Sequence, residues 1–161
     1  MMNDSTPSRD AMVIERIVDA PVAQVWQMWT VPEHFAAWYG PDGATIEVLV
    51  MDVRVGGRRH VAMDVVTPTG RRRMWFAGQF VDVEANQRLV YTEYIADEHG
   101  EPVGEGGLDG PPNATEVRVE LAENDGRTRI VLTHVGIAAD SPGAVGWAMA
   151  LDKLTAHVVV D

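Results

Sequence analysis

Hydrophobic positions along this chain repeat with two different periods, and the changes between them predict its elements. The segment MVIERIVD, at 12–19, is rich in β-branched residues and predicts a first strand. Pro21 suits the first turn of a helix, where its missing N–H is harmless, and Asp19 is a candidate cap. After it, apolar side chains recur at helical spacing, at Val22, Val25, Trp26 and Trp29. A strand followed by a short amphipathic helix is therefore predicted.

A second start signal, Thr30-Val31-Pro32-Glu33, predicts another short helix over residues 32–38. From residue 44 to residue 135 the chain carries six strand-like segments, separated by Gly-Gly, TPTG, AN and NDG. Such short links join neighbouring strands, so the segments predict an antiparallel meander. The glycine- and proline-rich stretch 98–114 is the one long connection, and it predicts an irregular loop at a sheet edge or pocket mouth.

Ser141-Pro142 predicts the start of a final helix, with Ser141 as the cap. One face of this helix is apolar, at Trp147, Leu151, Leu154 and Val158. About 18 helical residues span about 27 Å, which is enough to cross the concave face of a twisted sheet. Glycines at 78, 143 and 146 predict space between that sheet and the helix. The fold class is α+β, with residues 1–10 as a flexible tail and residues 11–161 as a single domain.

The charge and residue usage exclude several classes of function. A formal net charge of -11 repels nucleic-acid backbones and anionic membranes, so neither is expected as a partner. The chain has no cysteine, which excludes disulfides and thiolate chemistry and suits a reducing cytoplasm. The N-terminus has no apolar signal-peptide core, and no window approaches the roughly 18 apolar residues of a membrane span. A cytoplasmic location is therefore predicted.

Candidate chemistry is sparse. The three serines do not form a G-x-S-x-G elbow, and the five histidines show no metal-ligand spacing, so no metal or cofactor is expected. His134, on the last predicted strand, is either a hydrogen-bonded structural histidine or a group that contacts a ligand or acts as an acid or base. The strand carboxylates Asp64, Glu93 and Asp97 are typical of solvated positions and do not indicate a catalytic pair.

The motifs resemble those of the START/Bet v 1-like superfamily, and within it bacterial proteins related to the C-terminal domain of the Hsp90 ATPase activator. The resemblance rests on DAPVAQVWQMWTVPEHFAAWYGP at 19–41, GGR at 56–58, FAGQFVDVEANQRLVYTEY at 76–94, TRIVLTHVG at 128–136 and GWAMALDKL at 146–154. It implies a helix-grip fold, in which a curved antiparallel sheet of about seven strands surrounds the C-terminal helix, two short helices follow strand 1, and a hydrophobic cavity lies between sheet and helix. It implies no single reaction, because members include carriers, cyclases and co-chaperone domains.

Aromatic and apolar side chains, with one histidine and one tyrosine, are therefore the predicted cavity residues. They are Trp38, Met74, Phe76, Phe80, Tyr94, His134, Trp147 and Leu151. The first hypothesis is binding of a small apolar or amphipathic molecule without covalent chemistry. A cyclase- or hydratase-type enzyme using His134 or Tyr94, and a chaperone-interacting domain, are the alternatives. Related folds often pair, so a homodimer stays open.

Overall fold

A seven-stranded antiparallel sheet and three helices make up the described part of the chain, residues 11–103 and 114–158 of a computed structural model. The predicted tail 1–10, residues 104–113 of the predicted loop 98–114 and the last three residues lie outside it. The elements are β1 (Ala11–Val18), α1 (Val22–Thr30), α2 (Pro32–Trp38), β2 (Thr45–Met51), β3 (Arg58–Thr67), β4 (Gly70–Glu84), β5 (Arg88–Ala96), β6 (Thr115–Asn124), β7 (Arg127–Val135) and α3 (Pro142–Val158). The predicted α+β, helix-grip class is confirmed.

The strands lie in the order β1-β7-β6-β5-β4-β3-β2, so β2 to β7 form the predicted meander. The first strand joins the last one, with Ala11 opposite Val135 and Val18 opposite Thr128. This pairing returns the N-terminal segment to the far edge of the sheet. Strands β1 and β2 form the two opposite edges of the sheet, and helices α1 and α2 connect them. The two helices also pack against each other.

The hairpin between β6 and β7 follows the turn chemistry of its sequence. Asn124 pairs with Arg127, and the two residues between them, Asp125 and Gly126, have φ values of 55° and 77°. These are left-handed conformations, which Asp and Gly tolerate and which match the twist of the flanking strands. The NDG signal is thus confirmed as a tight hairpin.

The two predicted helix caps have different outcomes. Ser141 caps α3, since its Oγ accepts a hydrogen bond from the Ala144 N–H at 3.3 Å. Asp19 does not cap α1. The cap position is Pro21, and the Val22 N–H donates instead to the Glu123 carboxylate of β6 at 2.7 Å. A tertiary contact, invisible in the local sequence, replaces the local cap and ties the start of α1 to the sheet.

Helix α3 packs against α1, α2 and β1, and its predicted apolar face is buried. The aromatic residues of the two short helices fill the space beneath it, where Trp29 and Trp38 lie edge to face with ring centroids 4.8 Å apart. The Trp38 indole N–H donates to the Met28 carbonyl at 2.8 Å, which satisfies its one donor in the interior. None of the helices in residues 11–103 and 114–158 has the length and apolarity needed to cross a membrane.

Gly78 has a different role from the one predicted. It does not leave a gap in the sheet, because a Cβ at this position would lie 1.9 Å from the Thr92 carbonyl oxygen of β5. The missing side chain lets the backbones of β4 and β5 approach closely. Arg59 of β3 is the residue that pairs with Gly78 across the sheet.

We predict that Gly78→Ala destabilises the fold by about 1–3 kcal/mol or more, because its methyl group meets backbone that can move only by displacing a strand. Gly146→Ala on α3 is the matched control. No atom lies within 4 Å of its Cβ, and alanine favours the helix by about 1 kcal/mol. Chemical denaturation measures both variants. Equal stability of Gly78→Ala and wild type would contradict the close approach.

Candidate ligand pocket

A pocket of about 710 Å³ lies between α3 and the sheet, bounded by the described residues. Its wall is mostly apolar, and three methionines contribute flexible, polarizable side chains, at Met63, Met74 and Met149. Strands β3, β4 and β5 supply one side, α3 the opposite side, and the turn Tyr39–Pro41 one margin. Pockets that hold small molecules have volumes of roughly 300–1,000 Å³, so the space suits one such molecule.

The structure brings five of the eight predicted cavity residues to this pocket and leaves three elsewhere. Those that line it are Met74, Phe76, Tyr94, His134 and Trp147. The three others, Trp38, Phe80 and Leu151, are fully buried in the core and do not line it. The margin predicted for Trp38 is formed by its neighbour Tyr39, because the chain leaves α2 there and turns the Trp38 ring towards Trp29.

Two glycines of α3 line the pocket, and the predicted open space is found beside one of them, Gly146. Gly146 lines the pocket, and nothing lies within 4 Å of where its Cβ would stand. Gly143 also lines it, with Ile137 as the neighbour at 3.2 Å. Helix α3 therefore presents backbone at both positions, with open space beside Gly146 and the Ile137 side chain packed close to Gly143.

One side of the pocket carries a connected set of polar groups, which we call the polar wall: Tyr39, Glu93, Thr115, His134 and Trp147. The Trp147 indole N–H donates to His134 Nδ1 at 2.9 Å. His134 Nε2 lies 2.7 Å from Thr115 Oγ1, which donates to the Glu93 carbonyl oxygen at 3.1 Å. The Tyr39 hydroxyl donates to Glu93 Oε2 at 3.3 Å. These bonds link α3, β7, β6, β5 and the end of α2.

The hydrogen bonds determine the protonation state of His134. An indole nitrogen can only donate, so His134 Nδ1 is an acceptor and the proton of the neutral ring lies on Nε2. Burial lowers the pKa of His134, which favours the same neutral form. Both ring nitrogens are therefore used within the protein.

Behind the polar wall, Glu93 forms a buried ion pair with Arg59. Arg59 Nη1 lies 3.2 Å from Glu93 Oε2, and the two side chains are 1% and 8% exposed. The guanidinium also lies over the rings of Tyr91 and Phe35, at 4.2 and 4.9 Å from their centroids. Burial and the Glu93 charge raise the pKa of Tyr39, so its hydroxyl stays a donor.

Three of these residues, Tyr39, Arg59 and Glu93, are absent from the predicted cavity set, and the solvated position predicted for Glu93 is wrong. A signal did exist in the strand periodicity. Arg59 alternates in phase with the buried residues Val61 and Met63, which places all three on the inner face. Opposite charges on two inward positions of nearby strands indicate a buried pair.

The described residues offer no metal centre. Within 11–103 and 114–158, no three carboxylate or histidine side chains are grouped so as to hold an ion. Asp64 is instead bound by Arg73, with Oδ1 and Oδ2 at 2.8 and 2.9 Å from the guanidinium, and this contact lowers the pKa of Asp64. Asp97 accepts the backbone N–H groups of Glu101 and His99.

The curved antiparallel sheet, the two short helices after β1 and the long C-terminal helix define a START/Bet v 1-like helix-grip protein. The family described as "Activator of Hsp90 ATPase homolog 1-like protein" matches residues 19–159, and the chain belongs to this family. The family resemblance in the sequence is thereby confirmed. Among proteins with curated descriptions, none matches.

Solved structures from several bacteria share this fold. A protein from Mycobacterium smegmatis superposes with a TM-score of 0.77 at 21% identity, over 94% of this chain and 91% of its own. One from Arthrobacter aurescens gives 0.72 at 27%, over 96% and 92%. A protein from Silicibacter pomeroyi, described as AHSA1, gives 0.68 at 19%, over 93% and 98%. These likenesses concern the fold.

We predict that Arg59→Met destabilises the protein by about 3–5 kcal/mol, because Glu93 is left as an unpaired buried charge. Arg59→Met/Glu93→Leu should recover much of that loss, since no charge then remains buried. Denaturation of Arg59→Met, Glu93→Leu and the double variant gives the coupling energy between the two residues. Arg73→Met, which removes a partly exposed pair with Asp64, is the control and should cost about 1 kcal/mol or less. Additive effects of the Arg59 and Glu93 substitutions would contradict a coupled pair.

We predict that Trp147→Phe raises the pKa of His134, because Nδ1 can then take a proton without displacing the indole N–H. NMR titration of the imidazole signals measures the change, with His157, which does not line the pocket, as the internal control. In the wild type, unfolded His134 binds a proton near pH 6.5 and the folded residue only at lower pH. Stability should therefore fall as the pH drops below about 6.5 towards the folded pKa, and this loss should be smaller in the variant. A His134 pKa that is unchanged or lowered would refute the assigned hydrogen bond.

Proposed function

We propose that this protein binds a small amphipathic molecule, without covalent chemistry, in the pocket between α3 and the sheet. The observation that carries the proposal is an apolar pocket of about 710 Å³ with polar groups gathered on one side. Ligand sites commonly combine an apolar lining with a few placed polar groups that orient the bound molecule. The apolar part of the ligand would lie among the methionines and Phe76, with its polar end towards Glu93 and His134.

The hydrogen bonds of His134 and Tyr94 favour binding over acid–base catalysis by these two groups. A general acid or base needs a proton or lone pair that can reach the substrate. His134 uses both ring nitrogens on Trp147 and Thr115. The Tyr94 hydroxyl donates to the Gly100 carbonyl at 3.1 Å. Both groups that the sequence suggested for an enzyme in this pocket are thus held by the protein itself.

The family supports a ligand-binding or a chaperone-related domain in general. A concave, mostly apolar pocket with a polar side is a feature that a small-molecule ligand uses and that a surface contact with a chaperone does not require. The pocket therefore favours the first of these two roles.

We predict that a neutral apolar dye, N-phenyl-1-naphthylamine, binds the native protein with a gain in dye fluorescence and raises its melting temperature. Gly146→Leu should weaken binding by about tenfold or more, because the added side chain occupies the pocket. Its fold should be at least as stable as wild type, since leucine is a better helix former than glycine. Dye titration and thermal denaturation measure the two effects.

Ala156→Leu is the control, because it places the same leucine side chain at an exposed position of the same helix. It should bind the dye with wild-type affinity. The proposal fails if the dye does not bind the folded wild type, or if the two leucine variants bind it equally well.

A further inference from the structure

Glu93 is the one carboxylate among the described residues that line the pocket, and its two oxygens have different surroundings. Oε2 accepts hydrogen bonds from both Arg59 and Tyr39. Oε1 accepts none from the described residues. It is also not among the fully enclosed polar atoms that lack a partner, which are Trp29 Nε1, Arg59 Nη2 and Tyr91 OH. Oε1 thus keeps accessible surface, and the surface that Glu93 faces is the pocket.

Resting on the proposed function, we propose that Glu93 Oε1 accepts a hydrogen bond from an uncharged hydroxyl group of the ligand, so that the pocket selects alcohols and phenols over carboxylic acids. A ligand that fills the pocket removes water from Oε1. A hydroxyl restores the lost hydrogen bond, whereas a hydrocarbon leaves a desolvated acceptor unpaired.

The charges around Glu93 argue for a neutral donor. A ligand carboxylate beside Oε1 would place two like charges together in a mostly apolar pocket, and the net charge of -11 adds long-range repulsion. A cationic ligand would find the charge of Glu93 already compensated by Arg59 at 3.2 Å. It would then remain an uncompensated charge in the pocket. An uncharged hydroxyl meets neither penalty.

The other side-chain donors and acceptors of the polar wall do not offer an equivalent contact. The N–H of Trp147 and both nitrogens of His134 are used within the wall. Thr115 donates its hydroxyl proton to the Glu93 backbone. The anchoring contact therefore falls to Glu93.

Three probes with one ring system test this selectivity in the 161-residue protein at pH 7: 2-naphthol, 2-methylnaphthalene and 2-naphthoate. Competition with N-phenyl-1-naphthylamine gives the three affinities. We expect 2-naphthol to bind about tenfold more tightly than 2-methylnaphthalene, as expected for one hydrogen bond to a charged acceptor, and 2-naphthoate to bind most weakly.

Arg59→Met/Glu93→Leu removes the acceptor without leaving an unpaired guanidinium. In this variant, the preference for 2-naphthol over 2-methylnaphthalene should fall towards unity. Arg73→Met/Asp64→Leu removes a surface pair outside the pocket and should keep the preference. In the wild type, the ¹³C signal of the Glu93 carboxylate should shift with 2-naphthol and not with 2-methylnaphthalene, a readout that does not depend on any variant folding.

The outcomes separate this inference from the proposed function. Equal binding of 2-naphthol and 2-methylnaphthalene, or binding of 2-naphthoate as tight as that of 2-naphthol, overturns the selectivity and leaves the pocket a binding site. A preference that persists in the folded Glu93 variant overturns the anchor. If neither the dye nor any naphthalene probe binds the folded wild type, the proposed function fails as well.

Discussion

The ion pair between Arg59 and Glu93 is the constraint on which the rest of this structure depends. It joins β3 to β5 across β4, beneath an aromatic cluster, with both side chains almost fully buried. Neither charge could remain there alone, because an unpaired buried charge costs several kcal/mol. Gly78 lies on the intervening strand β4, opposite Arg59, where its missing side chain lets β4 and β5 approach closely. The position of Glu93, and with it the polar side of the pocket, follows from this contact.

The fold was predictable because its signals are local and repeat along the chain. Pro21, Pro32 and Pro142 each mark a helix start, and the NDG turn requires the left-handed conformations that Asp125 and Gly126 adopt. Apolar periodicity then separates helix from strand over many residues, so a single misleading position changes little. The cap of α1 was not predictable in this way. Its partner, Glu123, lies 101 positions away from Val22, and no local pattern carries that contact.

The pocket residues were harder to predict, because alternation identifies a face of a strand and not a depth within it. Met74, Phe76 and Phe80 share one phase on β4, yet the first two reach the pocket and Phe80 lies in the core. Charged residues lead to the opposite error, a buried side chain predicted as exposed, since a charged side chain on a strand is usually solvated. Arg59 and Glu93 are buried only because each finds the other, and that pairing depends on the order of three strands.

An apolar pocket beside a well-packed core would collapse if its walls could move inward, because dispersion contacts reward close packing. Here the walls are held from behind. The Trp147 ring is held by its hydrogen bond to His134. The Tyr39 ring is held by its hydrogen bond to Glu93 and by an edge-to-face contact with Trp147, whose ring centroid lies 5.5 Å away. Moving either ring into the pocket would break a buried hydrogen bond. Gly146 has no side chain that could fill the pocket in place of these rings. The bonds that hold Trp147, His134 and Tyr39 therefore also preorganise this side of the pocket, which reduces the side-chain ordering that a bound molecule would require there.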